Sequence, residues 1–79
     1  MNFAEKIGMI ATMQYEYAEL VAKHKLSKKA ICDICCPVRD ALSLTDIQTL
    51  QIARQELPLY DIIKILDEKK GNQNENANS

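Results

Sequence analysis

Apolar residues recur at three- and four-residue steps from near the first position of the chain. Phe3, Ile7, Ile10, Met13, Tyr17, Leu20 and Val21 trace one stripe of a helix. Ala4, Gly8, Ala11, Ala18 and Ala22 trace a second stripe of small residues, and Glu5, Thr12, Glu16, Glu19 and Lys23 fill the polar strip that remains. The spacing predicts a helix from an Asn2 N-cap to about Lys25, with Lys23 and Lys25 suited to its negative end. A helix of about 23 residues spans about 35 Å, more than the rest of a 79-residue chain can cover. The surplus surface is therefore expected to meet a second copy or another protein.

Punctuation along the remaining chain predicts shorter helices. Ser27 reads as the cap of a helix from Lys28 to about Cys35. Proline is unfavourable inside a helix and favoured at its first position. Pro37 therefore predicts a break near Cys36 and a short third helix ending near Leu42. Ser43 or Thr45 caps the next, with Asp46 in its first turn and a buried face of Leu44, Ile47, Leu50 and Ala53, closed by Leu57. Pro58 ends that helix and opens the last, which turns Leu59, Ile62, Ile63 and Leu66 inward and packs antiparallel to its predecessor. Gly71 reads as its stop. Residues 72–79 hold four Asn, one Gln and no large apolar side chain, so nothing there can be buried. The expectation is an all-α bundle of four to five helices with a long N-terminal helix, a single domain over 1–70 and a disordered polar tail over 71–79.

Composition narrows the class without naming a partner. Apolar residues at 47% and charged residues at 27% suit a globular domain, and a net charge of −1 lacks the basic excess usual in dedicated nucleic-acid binders. Charges interrupt every apolar run short of the ~20 residues a membrane span needs. Glu16 and Glu19 occupy what would have to be the cleavage region of a secretory signal. Three cysteines crowded into five positions do not make a secreted disulfide framework, so a reduced, cytoplasmic protein is expected.

His24, Cys32, Cys35 and Cys36 are the conventional soft metal ligands, four as a structural zinc requires. They fall in a helical run rather than a knuckle, and positions 32, 35 and 36 share one helix face, as buried small residues do. Core thiols are the preferred reading, with no metal and no cofactor. His24 stands between Lys23 and Lys25 without an acidic partner, and Gly8 and Gly71 are too isolated to form a phosphate loop. An enzyme with a small-molecule substrate is not expected.

One local asymmetry stands out. Lys23, Lys25, Lys28 and Lys29, with His24, make seven residues free of acid. The stretch that follows, Lys29 to Thr45, resembles a helix-turn-helix: Ile31 and Cys35 stand at its apolar positions and Cys32 at its small one, with Val38 to Leu42 opening the recognition helix. It departs from the motif at Cys36, which replaces the turn glycine, and at Pro37 and Thr45, where apolar residues are usual. Leu44 to Leu66 also resembles the last two helices of phage-repressor-like domains, in Ile52-Ala53-Arg54 and Ile62-Ile63. That resemblance implies a dimeric DNA-binding regulator contacting nucleic acid through Lys25, Lys28, Lys29 and Arg39. The favoured expectation is a non-catalytic regulator, adaptor or inhibitor that binds a protein partner or pairs as a homodimer. Its interface would be Ala4, Gly8, Ala11, Tyr15 and Ala18 on the first helix.

Overall fold

The computed structural model describes the backbone of residues 1–78 and the side chains of residues 1–68. Four helices follow one another: α1 (Phe3–Ala22), α2 (Lys28–Leu42), α3 (Asp46–Ala53) and α4 (Leu59–Asn78). Each of the first three starts where a side chain supplies an acceptor for an otherwise orphan N–H. Asn2 and Glu5 form a capping box on α1, as do Thr45 and Gln48 on α3, and the Ser27 hydroxyl accepts from the Ala30 N–H at 3.1 Å on α2.

The helix ends are set by a motif that the sequence does not advertise. Helix α1 stops at Ala22, short of Lys25, because His24 takes a left-handed φ of 54° and lets the Lys25 N–H donate to the Leu20 carbonyl. Ser43 (φ 56°) and Gln55 (φ 58°) do the same for α2 and α3, with Leu44 N–H on Arg39 and Glu56 N–H on Gln51. These are Schellman closures, in which glycine is the usual left-handed residue. A side chain there costs about 1 kcal/mol, so Gln55→Gly is expected to raise the unfolding free energy by about that amount in a urea titration. A loss of stability would show that the Gln55 side chain contributes something its exposed position does not suggest.

Helices α1, α2 and α3 each pack against the other two. Their common core takes Ile10, Met13 and Tyr17 from α1, Cys35, Val38 and Leu42 from α2, Leu44 from the turn, and Thr49, Ile52 and Ala53 from α3. Burying a hydroxyl is tolerable when it is bonded, and the Thr49 Oγ1 donates to the Thr45 carbonyl at 2.8 Å. Among the described residues α4 adds Ile62 and Leu66 to this core. Packing of α3 is thus mainly on α1 and α2, rather than in an antiparallel pair with α4.

Several expectations are corrected. Helix α2 runs unbroken through Pro37, so the break near Cys36 and the short third helix do not exist. Cys35, Val38 and Leu42 lie on one inward stripe spanning the proline, and their burial holds the two halves in line. Pro37 itself is exposed, as is Asp33, whose carbonyl loses its helical donor, so water can take that donor's place. In α3 the buried face is Thr49, Ile52 and Ala53, while Ile47 is 71% exposed. Leu59 is exposed at the start of α4, and Phe3 and Val21 sit half out at the two ends of the larger α1 stripe. Helix α4 continues through Gly71 to Asn78, since one interior glycine weakens a helix by about 1 kcal/mol without having to end it. Over the disordered polar tail expected at 71–79 only the backbone to Asn78 is described, as part of α4, and the side chains there lie outside the described residues. Among the described residues no helix is long and apolar enough to cross a membrane.

Candidate functional site

The small-residue stripe of α1 points away from the core. Ala4, Gly8, Ala11, Tyr15 and Ala18 recur every three or four residues, and all five are exposed, Tyr15 at 71%. A Cβ placed on Gly8 would meet nothing within 4 Å. Among the described residues neither α3 nor α4 covers this stripe, which stands as exposed surface with a large aromatic ring in its middle. A shallow groove edged by Ala11 runs beside it, lined by Ile7, Leu57 and Ile62 and flanked by exposed Leu59. Gln14 was not singled out by any motif, yet it braces that groove: its Nε2 donates to the Ile52 carbonyl at 3.0 Å, tying α1 to the end of α3.

The basic residues part company. Lys25, Lys28 and Lys29 are exposed, with no acidic partner within 4.0 Å among the described residues, and α2 carries no acid in its first turn. Lys23 is paired with Glu19 at 3.0 Å. Arg39 is committed elsewhere. Its Nη1 donates to Asp46 at 2.6 Å and its Nε to Asp40 at 3.0 Å, and these carboxylates, Asp46 foremost, hold the guanidinium still more firmly protonated. The expected turn at Cys36 and Pro37 lies inside α2, whose last residues are Val38 to Leu42, so the helix-turn-helix reading of Lys29 to Thr45 loses its turn.

The cysteines also separate. Cys32 is exposed and Cys36 half-buried, and a disulfide joins them across one helical turn, with Cα atoms 5.0 Å apart. Bridging is feasible at that separation. Cys35 remains a free thiol in the core, where burial pushes its pKa up. The expectation of three packed, reduced thiols therefore holds for Cys35 alone. The bridge forms part of the wall of a cleft of about 510 Å³ between α2 and α3, floored by Ile31 and Leu50, with Lys28 at one end and the Arg39–Asp46 pair at the other. His24 is exposed at the end of α1, and among the described residues no three His, Cys, Asp or Glu side chains gather as a metal site would need.

Compared with known proteins, the chain matches no family model, no curated protein and no solved structure.

Proposed function

We propose that this chain is a small non-catalytic regulator, adaptor or inhibitor that acts by binding protein, and that a second copy of itself is its first partner. The observation that carries the reading is the outward stripe of α1. Ala4, Gly8, Ala11 and Ala18 let another helix approach closely, and Tyr15 offers a large amphipathic side chain beside them. Phe3, Val21 and Leu59 leave further apolar surface uncovered on a chain with a small core. The reading needs no cofactor or small-molecule substrate, and it takes the cytoplasm as the working compartment.

Light scattering is expected to find a dimer that Ala11→Glu dissociates while leaving helical content intact. In one chain residue 11 is exposed, so a carboxylate there is harmless. At the centre of a helix–helix contact the same carboxylate would be buried and unpaired, which costs several kcal/mol. A wild type that is monomeric at all concentrations removes the homodimer. Capture from native lysate, with and without nuclease, tests the wider reading. Partners that survive nuclease support a protein target. Partners that vanish would transfer the function to nucleic acid, held by the unpaired cluster of Lys25, Lys28 and Lys29.

A further inference from the structure

We propose that Cys32 and Cys36 form a reversible dithiol site that reacts with small acidic disulfides, Cys32 attacking and Cys36 resolving. Positions 28, 32, 35, 36 and 39 follow one another on a single side of α2, and all five border the cleft. Cys32 is exposed on the cleft wall, one turn after Lys28. Arg39 lies on the far side of Cys36, but Asp46 and Asp40 already absorb its charge. Lys28 is thus the cation available to favour a thiolate, and it sits nearer Cys32 in sequence than Cys36. Cys35 also borders the cleft, but it is buried, with only 8% of its surface exposed, and burial pushes its thiol up and disfavours the thiolate.

The cleft suits a small thiol compound rather than a protein disulfide. Its volume of about 510 Å³ lies within the range of small-molecule sites, and its floor is apolar. Lys28, with Lys29 and Lys25 nearby in sequence, biases the approach toward carboxylate-bearing molecules. In the reduced protein, the Cys32 thiolate attacks one sulfur of R–S–S–R. That bond breaks, a Cys32–S–S–R bond forms, and one RS⁻ leaves and takes up a proton. The Cys36 thiolate then attacks Cys32 Sγ, closing the Cys32–Cys36 bond and releasing the second RS⁻, which is protonated in turn. Two electrons pass from the two protein thiols to the small disulfide, and two molecules of RSH reverse the sequence.

The test exposes the reduced full chain to glutathione buffers from reducing to oxidising poise, with acid quench at timed intervals and again at equilibrium, followed by thiol labelling and intact mass. Circular dichroism checks that each variant is helical. The wild type is expected to pass from three free thiols to one without holding an adduct. Cys36→Ser should stop at a single mixed disulfide on Cys32, and Cys35→Ser should close the bridge as the wild type does. Cys32→Ser should take up glutathione at least about tenfold more slowly, and Lys28→Gln should slow the first step by about three- to tenfold at neutral pH. Three thiols surviving at the oxidising end would overturn the proposal. So would an adduct on Cys35 in the Cys36→Ser variant, or a Cys32→Ser variant reacting at the wild-type rate.

Discussion

Ile52→Ala is expected to lower the unfolding free energy by about 2–5 kcal/mol, while Ile47→Ala changes it by no more than about 0.5 kcal/mol. The two isoleucines lie five positions apart on the same eight-residue helix, and chemistry alone does not tell them apart. Their surroundings do. Ile52 is 0% exposed at the junction of α1, α2 and α3, so its truncation removes buried apolar area and leaves a cavity. Ile47 is 71% exposed and has little contact to lose. In a domain whose total stability is about 5–15 kcal/mol, the first change takes a large share. It should move the thermal midpoint down by about 10–25 °C. Chemical denaturation of both variants reads the register of α3 directly. If Ile47→Ala proved the more damaging, α3 would be rotated on its axis relative to the arrangement described here.

Pro37→Ala should stabilise the protein, by about 2 kcal/mol. The sign is the informative part. Inside a continuous helix, proline lacks the N–H that would bond to the Asp33 carbonyl and crowds the preceding turn, so alanine relieves a penalty of about 3 kcal/mol. Part of that gain is returned because alanine leaves the unfolded chain freer. Were Pro37 instead the first residue of a separate helix, its fixed φ would suit the position and alanine would be neutral or mildly destabilising. Pro37 is exposed, so no lost core contact confuses the comparison. A urea midpoint that rises with unchanged slope, measured with the Cys32–Cys36 bridge intact, would establish that α2 is one helix. A falling midpoint would restore the break.

The proline matters beyond stability, because the continuity of α2 decides which chemistry the segment can present. One unbroken helix places Lys28, Cys32, Cys36 and Arg39 along one side of a cleft. A break at Cys36 would have parted Lys28 and Cys32 from Arg39, and would have kept alive a helix-turn-helix with Arg39 reading bases. Instead Arg39 bridges from α2 to Asp46 at the start of α3 and helps fix the cleft's end.

Local chemistry made the helix starts legible. Asn2, Ser27 and Thr45 are short polar side chains that accept from backbone N–H groups where a helix begins; Asn2 and Ser27 cap the helices expected of them, and Thr45 rather than Ser43 caps the third. The inward stripe of α1 was equally plain, because Ile10, Met13 and Tyr17 keep helical spacing over about two turns. Helix ends were hidden because His24, Ser43 and Gln55 adopt left-handed φ where the chain offers no glycine, and nothing in their side chains announces it. Two decisions belonged to tertiary packing. Helix α3 is short and its isoleucines point in different directions around it, so its own pattern could not choose between Ile47 and Ile52, and contact with α1 and α2 chose. At Pro37 a local preference to break was opposed by the joint burial of Cys35, Val38 and Leu42, which outweighs one missing hydrogen bond. The sequence by itself determined an all-helical chain, where its first two helices begin and which face of α1 turns inward. Only the tertiary structure decided the continuity of α2, the register of α3 and the sorting of three cysteines into a bridge and a buried thiol, because each depends on burial against residues distant in sequence.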